Sequence, residues 1–201
     1  SITSAELKTN LYVVASDEMQ GRDTGSEGQK KAGRYLIEQY QKMGVSYPKS
    51  MNSYYQTVPK EALMGRRGNL PESENILAFI EGSEKPEEVL VISAHYDHVG
   101  MKNGEIYNGA DDDGSGTVAL LEIAEAFQMA KKSGKGPKRS ILFLHVTGEE
   151  HGLLGSKYYA DNPIFPMANT VVDLNIDMIG RCDAGNCGKD YVYVIGSEML
   201  S

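Results

Sequence analysis

Three predicted strands in this chain each lead to a side chain that can hold a metal ion. Val89 to Ala94 leads into His95, Ser140 to Val146 leads into Glu149 and Glu150, and Thr170 to Ile176 leads into Asp177. The continuous apolar run Val89 to Ala94 predicts a central strand buried on both faces, as in the parallel sheets of α/β proteins, and Ser140 to Val146 reads as another buried strand. Ligand sites in such sheets lie beyond the carboxyl ends of the strands. Carboxylates placed at random would not gather at three strand ends, so the pattern constrains fold and site together.

Helical periods fill the intervals. Thr3-x-x-Glu6 has the form of a capping box and is followed by Leu7, Leu11, Tyr12 and Val14 at helical spacing. A second helix is expected from about Glu27 to Lys42, with Ala32, Tyr35, Leu36 and Tyr40 on one stripe. A third is expected from Gly114 to Lys132 and a short one from His151 to Ala160. Tyr54 to Val58 and Glu74 to Ile80 read as extended, and Tyr191 to Ile195 as a final strand. Strands alternating with helices imply a three-layer α/β sandwich with a central mixed, largely parallel sheet flanked by helices. No repeat or boundary divides the chain, which reads as one domain over residues 1–201.

The clusters at the strand ends offer nitrogen and oxygen donors and no thiolate: His95 and Asp97, the run Asp111-Asp112-Asp113, Glu149 with Glu150, and Asp177. That donor set suits zinc in a hydrolytic site and is large enough to cage two ions. His95 and Asp97 stand two residues apart at a strand end, so the carboxylate can steady the imidazole. His98 is expected to point the other way, toward the rim. An acidic helix start accounts for one aspartate of the triple but not for three; one of them bridging two ions uses the charge better. Side chains at the adjacent Glu149 and Glu150 diverge, so one can ligate while the other holds an attacking water. His145 falls inside a strand and reads as a packed core residue, and His151 as a rim residue that binds no metal.

Composition removes several classes. A hydrophobic fraction of 40% and a charged fraction of 24% describe a globular chain able to bury a sizeable core. A formal charge of -8 argues against nucleic acid or an anionic membrane as partner, and two divalent cations would offset about half of it. No run approaches the roughly 20 apolar residues of a membrane span, and no signal-peptide pattern opens the sequence. Cys182 and Cys187 can close a small local disulfide loop or remain two thiols; their spacing matches no zinc knuckle.

The ordered set Ala94-His95-Tyr96-Asp97, Gly109 to Gly116, Gly148-Glu149-Glu150-x-Gly152-Leu153-x-Gly155-Ser156 and Asp177-Met178-Ile179-Gly180 resembles the di-zinc aminopeptidase family. That family includes secreted bacterial leucyl aminopeptidases, plasma glutamate carboxypeptidase and, more distantly, glutaminyl cyclases. With the opening Ala15-Ser16-Asp17-Glu18-Met19-x-Gly21-Arg22 the resemblance spans nearly the whole chain. It implies a phosphorylase/hydrolase-like zinc-peptidase fold, peptide substrates and a secreted or periplasmic setting. By motif position, it implies that His95 and Asp177 hold the first zinc, Glu150 the second, and that Asp112 bridges them. Glu149 would be the general base and Asp97 would orient His95. The implied activity is zinc-dependent exopeptidase, foremost aminopeptidase. A glutaminyl-cyclase-like acyltransferase and a non-catalytic binding module on the same fold are the alternatives.

One departure from the resemblance matters. In that family the second zinc takes a further histidine downstream of the Ile-Asp-Met segment, yet residues 178–201 contain none and all four histidines precede Asp177. The expectation is therefore a peptidase domain that is C-terminally incomplete and inactive alone. It would hold one zinc or none tightly, with only Asp112 and Glu150 left for the second ion. Its last strand would present an open apolar edge that invites self-association.

Overall fold

The computed structural model describes residues 2–65, 68–189 and 191–197. Helix α1 (Ser4–Val14) opens on the expected box: the Glu6 N–H donates to Thr3 Oγ1 at 3.3 Å, and the Thr3 hydroxyl reaches the Glu6 carboxylate at 2.5 Å. Leu7, Leu11 and Val14 face the core, whereas Tyr12 is 69% exposed because it falls off the stripe those three define. Helix α2 (Glu27–Met43) is capped by Ser26, whose Oγ accepts from the Gln29 N–H, and stopped by Gly44 in the left-handed region. Its buried stripe is Ala32, Leu36 and Tyr40, with Tyr35 packed at the margin.

The remaining elements are β1 (Tyr55–Val58), the hairpin strands β2 (Met64–Gly65) and β3 (Gly68–Asn69), β4 (Ser73–Ile80), β5 (Lys85–His95) and the hairpin strands β6 (Met101–Lys102) and β7 (Glu105–Ile106). After them come α3 (Gly116–Lys132), β8 (Arg139–Val146), α4 (Leu154–Asp161) and β9 (Thr170–Asn175). The main sheet is mixed, in the order β1-β4-β8-β5-β9. β1 and β8 run antiparallel to β4, while β8 and β9 both run parallel to β5. In the parallel half, His95 faces Val146 and Ser93 faces Asn175, so three strands end level along one edge.

Alternation along the strands feeds two cores. Ile92 and Ala94 of β5 and Ile141 and Phe143 of β8 pack under α1, α2 and α3. Val89, Val91, Leu142, Leu144 and Val146 point to the other face and meet Tyr159 of α4. Burying each such side chain contributes roughly 1.5–3 kcal/mol, and truncating the fully buried Leu120 of α3 to alanine would cost about 2–5 kcal/mol. The same parity separates two histidines. His145 falls on the α2–α3 face, fully buried, with Nε2 2.7 Å from the Tyr40 hydroxyl and Nδ1 3.4 Å from Thr117 Oγ1. It is the core residue the sequence suggests.

Three boundaries differ from the sequence reading. Helix α4 begins at Leu154, not His151, because Gly152 and Leu153 adopt left-handed backbone (φ 115° and 59°) and make a turn instead. Helix α3 begins at Gly116, after a π-helical turn over Ala110–Ser115. Residues 191–195 do not form the expected final strand. They join no ladder, Ile195 is 94% exposed, and their tyrosines are engaged locally: the Asp183 N–H donates to Tyr191 Oη at 2.6 Å and the Tyr193 hydroxyl donates to the Asp183 carboxylate. On that side the edge of the described sheet is therefore β9, with β1 at the other. Cys182 and Cys187 are disulfide-bonded.

Candidate metal centre

The level ends of β5, β8 and β9 bring the sequence-predicted residues to one place. His95 Nε2 lies 3.1 Å from Asp112 Oδ1, 3.7 Å from Glu149 Oε2 and 3.9 Å from Asp177 Oδ1. Next to this group, Glu150 Oε1 stands 2.6 Å from Nδ1 of His98, whose ring also faces Asp112 Oδ2 at 4.0 Å. Two sets of donor atoms thus converge, His95 with Asp112 and Asp177, and His98 with Asp112 and Glu150. Asp112 belongs to both. Glu149 and Glu150 diverge as their adjacency requires.

His98 corrects the sequence reading. It does not point to the rim, because β5 ends at His95 and the strand alternation behind that expectation stops there. The His98 N–H donates to the Arg22 carbonyl at 3.0 Å, and the ring packs on Gly109, where a Cβ would come within 2.6 Å of it. No local signal in the sequence marks that turn; the cue is only that a second histidine stands three residues after the first.

The aspartate triple divides its work. Asp111 Oδ1 accepts from the Gly180 N–H at 2.8 Å, and Asp113 Oδ1 accepts from Gly116 N–H at 2.8 Å and Met178 N–H at 3.3 Å. The outer two therefore lay the Asp177–Gly180 segment against the start of α3, and the middle carboxylate is left free to face the histidines. Gly116 makes this fit possible: a Cβ there would stand 2.4 Å from the Ile176 carbonyl and 2.5 Å from Asp113 Oδ1. Burial raises the Asp113 carboxyl to about 8, with Asp177 adding to the shift and His95 opposing it.

Asp97 is fully buried and held by two donors, the Thr24 hydroxyl at 2.8 Å and the Glu149 N–H at 3.2 Å. It meets His95 chiefly through its main chain: Nδ1 of His95 lies 3.0 Å from the Asp97 carbonyl and 3.7 Å from its carboxylate. A carbonyl opposite Nδ1 requires a proton there, which leaves the Nε2 lone pair, on the side of Asp112, available to a metal ion. Burial works against a charged His95 ring, but Asp112, Asp97 and Asp113 outweigh it and raise its pKa to about 11. Burial likewise raises Glu149, with His95 opposing.

Whether these residues fit a cation can be judged from their polar atoms. His95 Nε2, His98 Nδ1 and Glu150 Oε1 are buried without a hydrogen bond, although carboxylate or imidazole atoms stand as near as 2.6 Å. The side chains meet at angles that a shared proton does not satisfy. Lone pairs converging on a common ion carry no such requirement, and an imidazole–carboxylate donor set of this kind suits zinc. A cavity of about 280 Å³, bordered by His95, Glu149 and Asp177, adjoins the cluster.

Residues 75–189 match the family model described as Peptidase family M28. The chain belongs to that family. All six residues expected to do the chemistry, His95, Asp97, Asp112, Glu149, Glu150 and Asp177, fall inside the matched stretch, as does His98. Among curated M28-like relatives, a "Vacuolar membrane protease" of Verticillium alfalfae is 37% identical over 67% of this chain and 13% of its own length. A "Probable zinc metalloprotease" of Pyrenophora tritici-repentis is 36% identical over 58% of this chain and 24% of its own. Two solved structures share the M28 fold at 22% identity: a Zn-dependent exopeptidase from Parabacteroides distasonis (TM-score 0.70) and a glutaminyl cyclase from Porphyromonas gingivalis (TM-score 0.71). Each is matched over 89% of this chain and 62% of its own. The M28 chain described here thus spans a quarter or less of those curated relatives and about three-fifths of those structures. Among its described residues no helix is long and apolar enough to cross a membrane.

Proposed function

We propose that this chain carries the metal centre of a zinc-dependent exopeptidase, foremost an aminopeptidase, with residues 1–201 belonging to one catalytic domain. The observation that carries the reading is Asp112, shared between two histidine–carboxylate groups, with Glu149 facing the same cavity. His95, Asp112 and Asp177 would hold one zinc. Asp112 and Glu150 would hold a second, and the nitrogen donor this chain places beside them is His98. Ions bound there lower the pKa of a water and stabilise the oxyanion of an attacked carbonyl.

The protein's part is positioning and proton transfer. Glu149 takes the water's proton and passes it to the leaving amine. Its half-buried, upward-shifted carboxyl suits a group that must hold a proton between those two steps. Its main-chain N–H is fixed by Asp97, which also meets His95, so base and ligand share one anchor. The disulfide supports an oxidising, extracytoplasmic setting.

Hydrolysis of a panel of aminoacyl anilides, before and after chelation and zinc return, tests the reading. Activity that disappears with chelator and returns with zinc is expected; activity indifferent to metal would overturn it. The Porphyromonas gingivalis neighbour favours a second reading, glutaminyl cyclisation on the same fold. One tightly bound zinc with pyroglutamate formation from an N-terminal glutamine would replace the first reading by that one.

A further inference from the structure

Among the described residues Arg22 is the largest fully buried side chain, and it lies outside the stretch matched by the family model. All of its acceptors are main-chain carbonyls. Nε donates to Tyr96 O at 2.8 Å, Nη1 to Val14 O and Asn108 O at 2.7 Å each, and Nη2 to Gly109 O at 2.8 Å. Its own carbonyl accepts the His98 N–H at 3.0 Å. Gln20, Gly21 and Arg22 all have positive φ, and a Cβ on Gly21 would come within 2.4 Å of Gly100 O and 2.5 Å of Tyr107 O. One tight turn is thus wedged between two loops. The first carries His95 to His98 out of β5, and the second runs through Gly109 into Asp112. A buried guanidinium is costly unless its donors are all used and negative charge is near. Here four of the five N–H groups go to backbone carbonyls, and the nearby charge is that of Asp97, Asp112 and Glu150.

We infer that Arg22 is a positioning residue of the metal centre, one that sets the gap between the His98 loop and the Asp112 loop and so the geometry of the second ion's donors. The inference rests on the two-zinc reading above. The first group is better protected, because His95 ends the paired strand β5 and the Asp177 segment, just beyond β9, is tied down by Asp111 and Asp113. Asp112 and His98 ride on loops whose common brace is Arg22. Lysine cannot replace it, since one compact ammonium lacks the planar fork needed to reach carbonyls on three segments.

The test measures the affinities of both zinc ions by chelator competition in the unaltered protein and in Arg22→Lys. Arg22→Lys is expected to weaken the second ion by about tenfold or more, as loss of a supporting partner does elsewhere, with the first ion changed much less. A purely structural role would lower the unfolding temperature without splitting the two affinities. Equal losses at both ions, or unchanged affinities, would overturn the inference while leaving the two-zinc reading intact. An unaltered protein that takes up no second ion would remove both. If Arg22→Lys does not fold, Arg22→Gly is used, since glycine accepts the positive φ of 51°. Added propylguanidinium should then restore second-ion binding, and a failure to restore it would count against Arg22.

Discussion

His98 Nδ1 and Glu150 Oε1 lie 2.6 Å apart, both buried and neither in a hydrogen bond. One comes from the loop after β5, the other from the loop after β8, and Asp112 stands beside them. On the two-zinc reading proposed above, His98, Asp112 and Glu150 would be three protein donors to the second ion. His98→Ala should therefore weaken the second zinc by at least about tenfold in chelator competition while the first is retained. Two tight ions in that variant would remove His98 from the ligand set.

His95→Ala acts on the other group. Three protein donors become two, fewer than a zinc site ordinarily keeps. Zinc content measured on the purified variant should drop at this group, and an unchanged content would show that the first ion is held elsewhere. Because carboxylates raise the His95 pKa, an arriving cation must displace a proton. Zinc affinity of the unaltered protein should accordingly weaken as pH falls, with proton release detectable on binding.

Glu149→Gln keeps size and hydrogen bonding but removes the base. Zinc content should stay intact while turnover of an aminoacyl anilide falls by on the order of 100-fold or more. Loss of metal with Glu149→Gln, but not with Glu150→Gln, would mean the roles of the pair are reversed.

His145 makes a prediction about stability. Burial lowers its pKa from an ordinary 6.5 to about 3. Between those values the unfolded chain binds a proton that the folded chain refuses, so the stability this residue contributes is full above the unfolded value and lost as pH falls toward the folded one. The limiting slope is about 1.4 kcal/mol per pH unit. Urea unfolding from about pH 7 down to about pH 4 should show this component in the unaltered protein and lack it in His145→Gln, where an amide can still meet the Tyr40 hydroxyl. Equal pH slopes would refute the assignment.

Gly116→Ala tests the seat of Asp177. The added methyl would collide with the Ile176 carbonyl and the Asp113 carboxylate, neither of which can move without lifting the Asp177–Gly180 segment. A stability loss of about 1–3 kcal/mol is expected, together with weaker binding of the first zinc. A variant unchanged in both unfolding and zinc titration would show that the segment has slack.

Much of this was legible in the chain itself, for a physical reason: a strand buried on both faces writes its limits as an apolar run, and a helix writes its start as a cap. Val89 to Ala94, the Thr3–Glu6 box and the Ala32–Leu36–Tyr40 stripe are local patterns with local causes, and the residues just past three such runs could be named as one cluster. Position along the strand likewise separated His145, inside one, from His95, at the end of another. What the sequence could not settle was decided where no period applies. The direction of His98 depends on the Arg22 carbonyl and on Gly109, both distant along the chain. The division of Asp111, Asp112 and Asp113 into two anchors and one shared donor depends on where residues 177–180 come to lie. Residues 191–195 alternate well enough for a strand, yet a strand exists only through a partner's ladder. Among the described residues their tyrosines are held by Asp183 instead. Local pattern fixes which elements form; long-range hydrogen bonds and close backbone approach decide which way the side chains beyond their ends will face.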